Sequence, residues 1–149
     1  MALLAALTAV GAHLRIPFPY VPVTLQAAFV CLSGLLLGPW RGSASQVVYI
    51  AAGLIGFPVF ARGGGLHYVL EPSFGYLLGF IAGAGVCGIV AGPAAGLSRS
   101  LLAAWSGMLT IYAIGVLVLY LNLRFVAGAD PGLTHTLQIG LAPLPKDLL

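Results

Sequence analysis

Three stretches of this sequence carry most of the groups that could hold a small polar molecule. The first is Arg15-Ile16-Pro17-Phe18-Pro19-Tyr20-Val21-Pro22-Val23-Thr24-Leu25-Gln26. Its prolines stiffen the chain into extended geometry. Such a loop can serve as a preformed lid or pocket wall, because ordering it costs little entropy. A plain re-entrant connection is the equal alternative. The second runs from Pro58-Val59-Phe60-Ala61-Arg62-Gly63-Gly64-Gly65-Leu66 to Glu71-Pro72-Ser73-Phe74-Gly75-Tyr76. Three successive glycines let backbone approach a ligand closely. Tyr76 offers an amphipathic ring, although tyrosine is also common at membrane interfaces without binding anything. The third is Lys146-Asp147. A carboxylate there could accept hydrogen bonds from ligand N–H groups, or could simply favour the dipole of a following helix.

Catalytic patterns are missing from the sequence. Gly63-Gly64-Gly65 is not followed by Lys-Ser/Thr, so there is no phosphate-binding P-loop. There is no HExxH, no GxSxG and no close pair of carboxylates. His13, His67 and His135 are far apart and show no metal-ligand spacing. His13 reads as an interfacial residue at a helix end, and His67 and His135 as solvated loop residues. Cys31 and Cys87 lie in apolar stretches and match no CxxC spacing, so they read as small packing residues. Neither an enzyme nor a cofactor or metal site is expected.

The elements that position these stretches follow from composition. Apolar residues make up 60% of the 149 and charged residues only 6%. A soluble domain carries about 25% charged residues, so this chain could not cover a water-facing surface. That excludes an ordinary soluble enzyme, a disordered tail and a nucleic-acid binder, whose basic stripe six scattered Lys/Arg do not make. The charge-free runs are residues 1–14, 16–40, 42–61, 72–98 and 100–123. A spanning helix needs about 20 apolar residues, and the last two runs are long enough outright. Pro58 is expected to end the third helix near Phe57. Pro17, Pro19 and Pro22 delay the second helix to about Thr24, a candidate N-cap, and Gly38-Pro39 ends it. The first run is short and lacks the basic start and cleavage site of a signal peptide. The expected architecture is all-α: a polytopic transmembrane helix bundle with five spans, and a sixth apparently truncated after Asp147.

The connections alternate. Arg41–Ser45 and Ser98–Ser100 read as tight turns on one side. Arg15–Val23, Pro58–Ser73 and Asn122–Lys146 read as long loops on the other, where function concentrates. The few Arg and Lys favour the long loops slightly, which taken literally puts them in the cytoplasm. Packing is written in small residues: Gly75, Gly79 and Gly83, then Ala84, Gly88, Gly92 and Gly96, with Gly34 and Gly38, and Ala5 and Ala9 flanked by Ala2 and Ala6. Stripes of this kind let helix backbones approach closely in lipid.

In order and spacing, further marks join these stretches. They are Arg15-Ile16-Pro17-x-Pro19-x-Val21-Pro22-Val23-Thr24-x-Gln26, Gly34-x-x-x-Gly38-Pro39 and Ser45-Gln46-x-x-Tyr49. Then come Gly53-x-x-Gly56-x-Pro58-Val59-Phe60, Gly64-Gly65 with Pro72-x-x-Gly75-Tyr76, and Leu144-Pro145-x-Asp147-Leu148-Leu149. Over nearly its whole length the chain resembles BioY, the biotin-specific membrane subunit (S component) of energy-coupling-factor (ECF) vitamin transporters. The resemblance implies a six-helix S-component bundle in the plasma membrane of a bacterium. Its long loops would face outward around one biotin, and the proline-rich loop would close over it. It also implies that the Ala5-xxx-Ala9 pair docks on a transmembrane coupling subunit, while two ATPase subunits hydrolyse ATP.

Biotin suits the residues that the resemblance points to. Its ureido ring offers two N–H donors, which Asp147 could accept. The apolar ring sulfur and chain suit Val21, Val23, Phe60 and Leu66, and Tyr76 could flank the ring. Arg62 with Gly63–Gly65 could hold the carboxylate tail. Thr24 and Gln26 complete the ligand-contacting set. The chain departs from the family at Glu71 and Lys146, where glycine is usual, and at the closing Asp-x-x-Lys, whose lysine falls just past Leu149. Glu71 is expected to weaken the carboxylate end by like-charge repulsion. An S component for thiamine or riboflavin, or a membrane subunit without a ligand, remain the alternatives.

Overall fold

The chain is described by a computed structural model, in which residues 1–16, 23–93, 96–125 and 132–141 are described. It is almost entirely helical. In chain order come α1 (Ala2–His13), two short strands β1 (Arg15–Ile16) and β2 (Val23–Thr24), α2 (Gln26–Ile55), a 3-10 turn (Leu66–Leu70), α3 (Phe74–Ala91), α4 (Leu97–Phe125) and α5 (Leu133–Gly140). β1 and β2 pair antiparallel, with Arg15 opposite Thr24 and Ile16 opposite Val23, across the base of the proline-rich loop.

α2 is two helices in one. Gly38 sits at φ 76°, ψ −179°, a non-helical conformation inside the run. Only glycine reaches that φ without steric cost. Pro39 follows, where its missing N–H is harmless at the first turn of the second arm. The tight turn expected at Arg41–Ser45 is therefore helical, and the reversal is concentrated at Gly38. Likewise Ser98-Arg99-Ser100 is not a turn but the first turn of α4. Arg99 Nε donates to the Val90 carbonyl at 2.8 Å, satisfying an acceptor at the end of α3. The second helix begins at Gln26 with Leu25 as its cap, one residue later than expected, because Thr24 is held in the strand pair.

The five expected helical segments are thus present as α1, the two arms of α2, α3 and α4. The entry to the sixth, expected around Asp147, lies outside the described residues. α3 and α4 are each long and apolar enough to cross a membrane. α4 shows an apolar outer face: Leu101, Leu109, Leu117 and Leu121 are all exposed. A helix that leaves leucines uncovered on one side and buries Ile111, Gly115 and Leu119 on the other is suited to a lipid surround.

The two small-residue stripes face two different neighbours. Gly75, Gly79 and Gly83 face α4, and a Cβ at Gly79 would meet the Ile111 backbone at 2.8 Å. Ala84 and Gly88 face α2: the Ala84 carbonyl lies against Gly34, and the backbone of Gly38-Pro39 lies against Gly88. α3 is accordingly the central helix, packed on both sides. Gly92 and Gly96 fall outside the stripe. Gly92 is the C-cap of α3, and Gly96 has open space where a side chain would go. Cys31 and Cys87 are buried and unbridged at the α2–α3 contact, as packing residues would be.

Candidate functional site at the loop end of the bundle

The ends of α1, of the second arm of α2 and of α4, and the starts of α2 and α3, all lie at the end of the bundle that carries the long connections. Just inside this end, polar side chains and aromatic rings converge. Gln26, the first residue of α2, is buried, and its Nε2 donates to the Tyr49 hydroxyl at 2.6 Å. Tyr49 donates onward to the Val59 carbonyl at 3.0 Å. The Thr24 hydroxyl donates to Gln26 Oε1 at 3.0 Å. A buried phenol and a buried amide are expensive without partners, and here each satisfies the other.

Phe60 fills the centre of this group. Its ring seats in the notch left by Gly53, where a Cβ would overlap it. It meets Tyr49 edge-on at 5.5 Å and Tyr68 at 4.5 Å. The loop carrying it folds back on itself, with Phe60 and Gly63 exchanging backbone hydrogen bonds of 2.8 and 3.1 Å. Gly63 (φ 117°) and Gly65 (φ 113°) make that turn possible. The Gly65 N–H bonds the Gly53 carbonyl at 2.7 Å, which ties the loop to the end of α2. Gly64 lies so close to the Phe57 carbonyl that no side chain fits.

The charges sit at the rim. Arg62 Nη1 lies 3.2 Å from Glu71 Oε2, with both side chains about one-third exposed. The acid expected to repel a ligand carboxylate is thus paired with the cation expected to attract it. Tyr68 stands between them in the 3-10 turn, and its hydroxyl shares a hydrogen bond with Ser73 Oγ at 3.3 Å. Burial pushes the Tyr68 phenol above its ordinary value, against the lowering effect of Ser73, so it stays protonated at neutral pH.

Tyr76 belongs to a neighbouring part of the same core. Its ring packs against Gly115 and stands edge-on to Tyr112 at 5.7 Å, and its hydroxyl donates to the Gly140 carbonyl at 2.7 Å. That bond holds α5 against the bundle. α5 itself falls within the stretch read as a loop, Asn122–Lys146. Its eight residues are too few for a pattern to stand out, and packing on α4 and Tyr76 stabilises it.

Of the expected ligand-contacting residues, Thr24, Gln26, Phe60, Arg62, Gly64 and Gly65 come together here. Leu66 does not line the group: it is 75% exposed. Val23 is in β2, and Val21 and Asp147 lie outside the described residues. On α1, Ala5 is buried in the main core and Ala9 packs partly against it. The small residues on the open face of α1 are Ala2 and Ala6. The register of α1 against α2 therefore turns Ala5 and Ala9, the pair expected to dock, toward the core and leaves the flanking pair open.

The comparisons with known proteins bear on the family and the fold. The model of the BioY family matches residues 1–149. The chain belongs to the BioY family. The probable biotin transporter BioY of Lysinibacillus sphaericus is 44% identical over 142 residues, covering 94% of this chain and 72% of that protein. The biotin transporter BioY of Thermotoga maritima is 43% identical over 115 residues, covering 76% and 68%. A crystal structure of the S-component for biotin from an ECF-type ABC transporter shares the fold, with a TM-score of 0.81 over 99% of this chain and 80% of that one, at 24% identity. This BioY-family chain is a membrane protein and a transporter subunit, not an enzyme.

The structure adds Tyr49, Tyr68 and Ser73 to the residues expected at this end of the BioY fold. Tyr49 had a signal in the sequence. A phenol in the middle of an apolar helix must find a hydrogen-bond partner, and that search points to the buried end of a loop.

Proposed function

We propose that this chain is the biotin-capturing membrane subunit of an ATP-driven vitamin transporter, sited in a bacterial plasma membrane. The reading is carried by one observation above the rest. In a chain of the BioY family, the proline-rich loop base and the glycine loop meet at a buried Gln26–Tyr49–Phe60 group with a cation at its rim. Such a site is mostly apolar with a few placed polar groups, as small-molecule sites are. The bicyclic ring of biotin suits Phe60 together with Val21 and Val23. Its ureido N–H groups suit the Asp147 carboxylate. Its carboxylate tail suits Arg62, since the N–H groups of Gly63 and Gly65 already bond the Phe60 and Gly53 carbonyls. The Arg62–Glu71 pair is partly exposed, and such pairs contribute only about 0–1 kcal/mol. Exchanging Glu71 for a ligand carboxylate therefore costs little.

ATP hydrolysis belongs to partner subunits in this reading, since the chain has no P-loop. A transmembrane coupling subunit would dock on α1 through Ala2 and Ala6, where close backbone approach is open. The test is calorimetric titration of the detergent-solubilised chain with biotin. Stoichiometric heat is expected, and Asp147→Asn should weaken binding by about 1.5–3 kcal/mol, the scale of a hydrogen bond to a charged group. Absence of heat at high biotin removes the reading. An Asp147→Asn variant that binds like the parent removes Asp147 from the site.

A further inference from the structure

Two of the connections at the loop end leave from different elements, and one hydroxyl joins them. Gln26 begins α2, directly after the strand pair that closes the proline-rich loop. Val59 begins the glycine loop. Tyr49 stands between them in the second arm of α2, 2% exposed. Its oxygen accepts from Gln26 Nε2 at 2.6 Å and donates to the Val59 carbonyl at 3.0 Å. Thr24 extends the line into β2 through Gln26 Oε1 at 3.0 Å. The line is continuous from one loop base to the other: Thr24, Gln26, Tyr49, Val59.

We propose that the Tyr49 hydroxyl is a clasp that fixes the base of the proline-rich loop against the start of the glycine loop, which makes Tyr49 a positioning residue for ligand capture. The ring does not need the hydroxyl for its own packing, because its edge-on contact with Phe60 is that of any phenyl group. What the hydroxyl adds is a crossing between two segments far apart in sequence. Without it, the Val59 carbonyl and the Gln26 amide both lose a buried partner. The glycine loop would then keep its backbone bonds to α2 on either side, Phe57–Ala52 and Gly65–Gly53, with the Val59 carbonyl between them untied. Two loops that must settle on a ligand from independent positions lose more entropy on binding than two already in register.

The inference rests on the biotin-binding reading for its affinity consequence, but the clasp itself can be measured without ligand. Spin labels on Leu25→Cys and Pro58→Cys, both exposed positions, report the separation of the two segments by double electron–electron resonance. The native Cys31 and Cys87 are buried and should remain unlabelled. The parent should give a narrow distance distribution in the absence of ligand. Tyr49→Phe should broaden it, and should weaken biotin binding about tenfold. Gln26→Leu breaks the same line on the other side. The double variant should be no worse than either single one, as expected of groups acting in series. A Tyr49→Phe variant with the parent's distribution overturns the clasp. A broadened distribution with unchanged affinity overturns the positioning role. Should the parent hold no biotin, the functional reading falls, and the distance distribution still upholds or overturns the clasp.

Discussion

The rim charges decide how strongly this site can hold an anion. Arg62 is paired with Glu71, and in the proposed site a ligand carboxylate would compete for the same guanidinium. Glu71→Gln removes the competitor and leaves the cation. Biotin affinity should therefore rise about threefold, within the range of an exposed pair. Arg62→Ala should lower it by at least as much. Equilibrium binding at low and high salt checks both, since the gain should shrink as salt screens the rim. Affinity unchanged in Glu71→Gln would mean that the carboxylate end of the ligand lies elsewhere. The sequence made the residue types at this rim visible, but not their pairing. Arg62 and Glu71 are separated by the 3-10 turn, and only that turn brings a guanidinium and a carboxylate nine positions apart to 3.2 Å. Tyr49 escaped for a similar reason. Its motif was plain, but its partners Gln26 and Val59 come from elements whose approach depends on the reversal at Gly38.

At the scale of elements, α3 is the part whose packing has least room for error. Gly79 faces the Ile111 backbone, which cannot swing aside as a side chain can. Gly79→Leu should separate α3 from α4 and lower the thermal midpoint in detergent by many degrees, with loss of biotin binding. Gly96→Leu, at a position with open space, should leave both unchanged. Equal midpoints for the two variants would contradict the assignment of the stripe to the α3–α4 contact. The helices themselves were legible, because apolar length and Pro/Gly punctuation are local properties. The stripe was legible too, but its extent was not. Gly92 and Gly96 continue the four-residue spacing by chance, and Gly92 ends the helix instead. α5 was read as loop because eight residues give too short a period, and its place depends on the distant hydroxyl of Tyr76.

In the proposed assembly the molecule presents one end for capture and one helix face for a partner. On α1, Ala5 faces the core while Ala2 and Ala6 lie open. The spacing of small residues made two overlapping pairs visible, but not which of them lies open, since that depends on the rotation of α1 against α2. Ala6→Leu should spare biotin binding and reduce co-purification with the coupling subunit. Ala5→Leu should instead lower stability, by about 1–3 kcal/mol for an overpacked core position. Normal co-purification of Ala6→Leu would show that the partner uses another face. The most direct measurement of the central claim is retention of radiolabelled biotin by membranes containing this chain, with excess unlabelled biotin, thiamine or riboflavin as competitor. The account predicts saturable retention that unlabelled biotin displaces and the other two vitamins do not. Retention no greater than in membranes lacking the chain, or displacement by thiamine or riboflavin, would contradict it.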